Sequence, residues 1–250
     1  MVIAYDNEAD SVKKLIDDAF PKLKDYSKDF ERMINRVILS AKNESVDFIN
    51  AILIEKFPSN SIKYYSFDEA VDTDAQKIDE DFLNTLTLNG IPPHELILKL
   101  NCLVILLRNI NLSEGLCNGT RLICKRFDAN IIDATIVVGE YKRKRVFLPC
   151  IPFVPLENDS SPIRFKRTQF SVCLCFAMSI NKAQGQTLDF VGLYLPESVF
   201  SHGQLYVALS RAKTSKCVRF LIKPTENKKM HLNCTKNVVY KEILVAVSSS

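Results

Sequence analysis

Glycine is scarce, seven in 250 residues, and none of the seven opens a G-x-x-x-x-G-K-[ST] loop. No stretch of this sequence can therefore cradle a triphosphate and its magnesium in the P-loop manner. There is no run of 18 apolar residues, and the start Met1-Val-Ile-Ala-Tyr-Asp-Asn-Glu8 lacks the basic-then-apolar order of a secretory leader. Neither membrane insertion nor secretion is expected. Histidine occurs three times, and the eight cysteines at 102, 117, 124, 150, 173, 175, 217 and 234 include no C-x-x-C pair. That spacing suits buried, reduced thiols better than zinc ligands or disulfides, so no metal site is expected. The five N-x-[ST] triplets then carry no sugar. A Gly/Pro/Ser-rich linker and an internal repeat are also absent.

What is present is apolar enough, at 47%, to bury a core of one large or two small domains. Charge is segregated: residues 1–90 hold 11 basic and 18 acidic side chains, residues 121–182 hold 11 and 5, and residues 183–250 hold 9 and 4. The basic surplus after residue 120 suits a phosphate backbone, or else an ordinary solvated surface. Val12, Leu15, Ile16, Ala19 and Phe20 share one helical face before Pro21. Arg36–Ser40 reads as a short buried strand, and Asn43 as the cap of a helix lined by Val46, Ile49, Leu53 and Phe57. From about 86 to 165 the pattern changes to short apolar strands divided by Asn-Gly, Gly and basic turns, which predicts a small β-barrel inserted into an α/β lobe. Ser66-Phe-Asp-Glu69 looks like the acidic end of a nucleotide-site strand, but the apolar run before it is too brief, and it reads as a surface turn.

Two segments carry most of the chemistry. Val172–Met178 is almost wholly apolar, as for a strand covered on both faces, and Ser179 offers a hydroxyl to cap the next turn. Asn181, Lys182, Gln184 and Thr187 then fall at the carboxyl edge of a sheet, where open α/β sheets bind ligands, and Gly185 permits a tight turn. Ser201-x-x-Gln204 is a capping box that starts a helix near His202, with Leu205 and Leu209 inward and Arg211 at the far end. Tyr206 reads as a packing residue. Arg211 there either stabilises the helix carboxyl end or serves a phosphate. Lys142-Arg-Lys-Arg145, between two strands, is a phosphate-gripping hairpin tip, a solvated turn or a nuclear import signal, and Arg164, Lys166 and Arg167 form a second basic stripe around Phe165.

Cys175-Phe-Ala-Met-Ser-Ile-Asn-Lys-Ala-Gln-Gly-Gln-Thr187 and Phe200-Ser-His-Gly-Gln-Leu-Tyr-Val-Ala-Leu-Ser-Arg211 resemble the fifth and sixth motifs of superfamily 1B DNA helicases of the Pif-one and Helitron type. Asn89–Lys99, Leu106–Asn109 and Gly115–Arg121 are similar to that family's 2B domain, and Ala41-Lys-Asn43 with Asn50 to its fourth motif. Departures are Ser179 and Ala183 where threonine and serine are usual, Asn101 for glycine, Cys150 for arginine and Ser171 for proline.

The resemblance implies the second RecA-like lobe (2A) of an α/β helicase with an inserted SH3-like 2B barrel. The expected segments are 1–85 and 166–225 for the lobe, 86–165 for the barrel and 226–250 for a tail. It further implies five-prime to three-prime movement on single-stranded DNA, in the nucleus or alternatively the mitochondrion, with roles in repair, recombination and telomere maintenance. Arg211 becomes an arginine finger. Gln184 and Gly185 join it at the nucleotide, while Asn181, Lys182, Thr187 and Lys142, Arg143, Lys144 and Arg145 face DNA. ATP and magnesium are expected only where a first RecA-like lobe, in cis or in trans, supplies the P-loop. The competing expectation is a catalytically inactive remnant that binds DNA or blocks an intact helicase.

Overall fold

The computed structural model describes residues 1–27, 30–71, 79–88, 90–155, 163–224 and 234–240. Its helices are α1 (Glu8–Ala19), α2 (Glu31–Ile34), α3 (Asn43–Lys56), α4 (Glu80–Thr85) and α5 (Gln204–Leu209). The strands are β1 (Arg36–Ser40), β2 (Ser61–Tyr65), β3 (Phe67–Ala70), β4 (Glu95–Lys99), β5 (Leu103–Leu106), β6 (Arg121–Phe127), β7 (Ile131–Ile136), β8 (Arg145–Phe153), β9 (Phe165–Phe170), β10 (Val172–Leu174), β11 (Ala177–Ser179), β12 (Phe190–Leu195) and β13 (Val218–Ile222). Two compact units result: residues 1–56 with 176–250, and residues 57–175.

The first unit is an α/β layer. Its sheet runs β11-β1-β12-β13 with every pair parallel, so all four carboxyl ends share one edge. The central strands are continuous apolar runs, as coverage on both faces requires, and Val37, Ile38, Leu39, Val191 and Leu193 have no exposed surface. α1 packs on β1, β12 and β13 through Val12, Leu15, Ile16 and Ala19. Its first turn is capped by Asn7, whose side chain accepts from the Asp10 N–H. Leu15 and Ile38 press so closely on Gly192 that a Cβ there would lie 3.1 Å from each. α3 covers β1 and β11 and buries Val46, Ile49 and Leu53 as the periodicity predicts. Asn43 is the first residue of that helix rather than its cap.

The second unit is antiparallel. Seven strands lie in the order β10-β5-β6-β7-β8-β9-β3, and β2 pairs with β4 as a separate ribbon. Its reach, 57–175, is wider than the 86–165 expected for the insertion: before residue 86, β2 and β3 join it by pairing with β4 and β9, and after residue 165 the rest of β9 and all of β10, expected in the lobe, pair with β8 and β5. Asn101, standing where the related family has glycine, has φ +65°, and asparagine tolerates that left-handed conformation better than most residues.

The expected single strand Val172–Met178 is two strands. β10 pairs antiparallel with β5, whereas β11 pairs parallel with β1, and Cys175-Phe176 is where the chain leaves one unit for the other. Apolar composition alone cannot register such a change of partner.

Ser66–Glu69 is likewise no surface turn. Asp68 is 4% exposed and takes a two-ended bond from Arg167, which is 1% exposed, with the closest contact 2.6 Å. Arg167 also donates to the carbonyls of Leu83, Leu86 and Pro92. The predicted basic stripe around Phe165 therefore dissolves: Arg167 is a core residue and Lys166 pairs with Glu69. Burial with a partner from a distant strand is invisible to a local reading.

Candidate functional site

The two chemistry-bearing segments meet in the first unit. β11 is an edge strand, and the buried Asn50 of α3 secures it: its Nδ2 donates to the Ala177 carbonyl at 3.0 Å and its Oδ1 accepts from the Ala177 N–H at 2.8 Å. A side-chain amide thus stands in for the missing neighbouring strand. After β11 the chain makes one 3-10 turn, Ile180–Ala183, with Ile180 and Ala183 buried. Asn181, Lys182, Gln184, Gly185 and Thr187 remain exposed at the carboxyl edge of the sheet, as the sequence implied. Gly185 has φ +79°, a conformation glycine adopts without cost. Ser179 makes no side-chain cap, contrary to expectation, and the turn closes through the Gln184 N–H to the Asn181 carbonyl and the Gln186 N–H to the Ala183 carbonyl.

α5 begins at Gln204, two residues later than the capping box suggested. Gly203, at φ +70°, turns the chain into the helix. Only the glutamine half of the box forms: the Gln204 Oε1 accepts from the Phe200 N–H at 3.1 Å and the Ser201 N–H at 3.4 Å. Those two donors fix the amide orientation and leave Nε2 buried without a partner. Gln204 and Ala208 form the buried face, not Leu205 and Leu209, since Leu209 is 40% exposed. Tyr206, at 74% exposure, is not packed within this chain.

Arg211 follows that helix and ties the two segments together. Its Nε donates to the Val207 carbonyl at 3.0 Å, one terminal nitrogen to the Gln186 carbonyl at 3.1 Å and the other to the Ser210 hydroxyl at 2.9 Å. The Leu188 N–H also donates to the Arg211 carbonyl at 2.8 Å, and Leu188 bridges Ala212 in parallel. Just beyond, Asp189 binds Lys213 and Asn35, and these bonds hold its carboxyl below the ordinary range. Lys42, past the end of β1, pairs with Glu197, past the end of β12.

The basic hairpin in the second unit is confirmed as a turn, joining β7 to β8. Arg143 sits at φ +75°, and its N–H donates to the Ile136 carbonyl. Tyr141 packs against Gly115 so tightly that a Cβ there would come within 2.5 Å of its ring. Of the four basic residues, Lys142 and Arg143 are exposed at the tip. Lys144 lies 3.4 Å from Glu114, and Arg145 is committed to Asp133 through three bonds of 2.7–3.1 Å. Arg145 is thus a held residue, a feature no local reading of four consecutive cations reveals.

Among the described residues no group of three or more His, Cys, Asp or Glu is placed to hold a metal ion. Cys102, Cys124 and Cys175 are buried, and burial pushes the Cys175 thiol up to about 12 although Arg121 opposes the shift.

A family model described as "DNA helicase Pif1, 2B domain" matches residues 81–127. The human ATP-dependent DNA helicase PIF1 is 36% identical over 130 residues, 50% of this chain and 19% of that protein. The Xenopus laevis counterpart is 29% identical over 185 residues, 73% of this chain and 27% of that protein. Among solved structures, the Candida albicans Pif1 helicase superposes with a TM-score of 0.61 at 20% identity, covering 97% of this chain and 54% of that one. The Bacteroides Pif1 helicase in complex with ADP-AlF3 and ssDNA gives 0.59 at 18%, covering 98% and 51%. This chain spans about a quarter or less of those two curated relatives and about half of the solved chains. Two motif segments, a matched 2B segment and a shared α/β fold agree, and the chain is similar to the C-terminal portion of the Pif1-like DNA helicases.

Proposed function

We propose that this chain forms the second wall of an ATP-driven motor that moves five-prime to three-prime along single-stranded DNA. The observation that carries the reading is Arg211: one guanidinium is bonded at once to the turn after β11, through the Gln186 carbonyl, and to the end of α5, through the Val207 carbonyl. A cation shared by two segments that follow strands of the same parallel sheet is suited to report the state of one to the other. Its bond to the Ser210 hydroxyl is exposed and is the contact most cheaply exchanged for a γ-phosphate oxygen.

Magnesium-ATP supplies the phosphoryl group, and a P-loop lobe in cis or in trans would hold it. This chain would contribute Arg211 against charge developing on the γ-phosphate, with Gln184 and Gly185 beside it. Asn181, Lys182 and Thr187, exposed on the same turn, would meet the DNA, and the tip Lys142 to Lys144 would grip phosphates. Relatives solved with single-stranded DNA support the DNA half of this reading.

The test joins the chain to a first lobe bearing an intact P-loop and measures phosphate release with and without single-stranded DNA. DNA-stimulated turnover is expected, and Gln184→Ala should reduce the stimulation while sparing more of the basal rate. A well-folded fusion that binds ATP yet gains nothing from this chain would show that it is the inactive, DNA-holding remnant instead.

A further inference from the structure

We propose that the outer face of the β7–β8 pair, centred on Phe147, is a stacking site for an unpaired nucleobase, an inference that rests on the single-stranded DNA reading above. β8 alternates: Val146 and Leu148 are buried at 4% and 0% exposure, while Phe147 faces outward at 56%. Its neighbours on that face include two arginines, each held by an aspartate. Arg145 carries its guanidinium carbon 5.1 Å from the centre of the Phe147 ring. Asp133, directly across the ladder from Phe147, fixes that guanidinium with both carboxylate oxygens. Arg126, opposite Asp133 on β6, is 70% exposed at its side chain and pairs with Asp128 at 3.2 Å. The basic tip Lys142–Lys144 leads directly into this strand.

Each part has a use for nucleic acid. An exposed ring offers a π-face that any base can cover, and stacking of this kind strengthens binding by roughly one to two orders of magnitude per base. The Asp133 clamp removes the rotamer freedom that a long arginine would otherwise lose on binding, so the cation is set beside the ring in advance. The aspartate itself lies only 7% exposed beneath Arg145 and presents little negative surface. A protein partner fits less well, because the apolar area here is a single ring flanked by Ile131 and by the ion pairs Arg145–Asp133 and Arg126–Asp128, whereas stable protein interfaces exclude charge from their centres.

The experiment is fluorescence anisotropy on the whole chain, with oligothymidylate and with the same oligonucleotide made abasic at successive positions. Phe147→Ala should weaken binding to oligothymidylate by about tenfold, as expected for one lost stack. Phe147→Tyr should restore it, and the slope of affinity against salt should not change. With the abasic oligonucleotide the alanine variant should bind as the parent does. Equal binding of Phe147→Ala and parent to oligothymidylate, or an equal loss on both oligonucleotides, overturns the stacking site. If instead the parent binds neither oligonucleotide, the DNA reading itself fails. A loss confined to Lys142→Ala/Arg143→Ala, with Phe147→Ala at parental affinity, removes the stacking site alone.

Discussion

Breaking the Asp68–Arg167 pair should be the most damaging polar substitution in the second unit. The two side chains are 0% and 1% exposed, so neither charge is screened by water. Arg167 spends its donors on Asp68 and on the carbonyls of Leu83, Leu86 and Pro92, and Asp68 accepts in addition from the Ser66 hydroxyl at 2.8 Å. Asp68→Ala leaves a buried guanidinium with three neutral partners and no counter-charge. Removing one member of a buried pair costs about 3–5 kcal/mol, a large share of the ~5–15 kcal/mol that holds a typical domain folded. Arg167→Met strands the carboxylate and three carbonyls together, and the loss should be of the same order. In the double variant Asp68→Leu/Arg167→Met no charge is buried, so the two losses should fall well short of adding. Urea unfolding followed by far-ultraviolet circular dichroism reads this, with the transition of the second unit resolved from that of the first. A loss under 1 kcal/mol for Asp68→Ala, or strict additivity in the double variant, would refute the argument.

Other outcomes follow from the same geometry. Asn50→Leu should cost about 2–4 kcal/mol, since both backbone groups of Ala177 lose partners, and hydrogen exchange at the Ala177 amide should accelerate. Ser171→Ala should be neutral or stabilise by up to ~1 kcal/mol, because the Ser171 hydroxyl is buried without a partner, and thermal unfolding checks it. Gly115→Ala should destabilise by about 1–3 kcal/mol, as φ is +78° and the Tyr141 ring occupies the Cβ position; Tyr141→Ala in the same background should recover part of the loss. Asp133 is held below the ordinary carboxylate range by its bonds to Arg145, so the pair stabilises the fold above the unfolded aspartate value and this contribution is lost as pH falls through the lowered folded value. Stability measured from pH 5 downward should therefore fall less steeply in Arg145→Ala.

The parallel lobe was legible because buried strands and amphipathic helices write their periods into the sequence: β1 was located residue for residue, and the apolar stripe of α1 matches its buried face. The turn after β11 and the arginine after α5 were legible as motifs, since polar residues between apolar runs have few other uses. What escaped was pairing at a distance. Nothing local distinguishes Arg167, a core residue, from Lys142, an exposed one, or shows that Asp68 and Asp133 each capture an arginine from another strand. The split of Val172–Ser179 into two strands escaped for the same reason, because both halves are apolar and only their partners differ.

The central claim is that Arg211 acts on a γ-phosphate rather than merely closing a helix. In the chain joined to a P-loop lobe, Arg211→Ala should cut DNA-stimulated turnover on the order of 10³-fold while changing nucleotide affinity little, because a group that meets charge developing in the transition state adds little to ground-state binding. Turnover and nucleotide affinity are measured on the same preparation, with circular dichroism establishing that the bonds lost to Val207 and Gln186 have not unfolded the unit. A folded Arg211→Ala protein that hydrolyses ATP at the parental rate would contradict the account and leave this arginine a structural tie between α5 and the turn after β11.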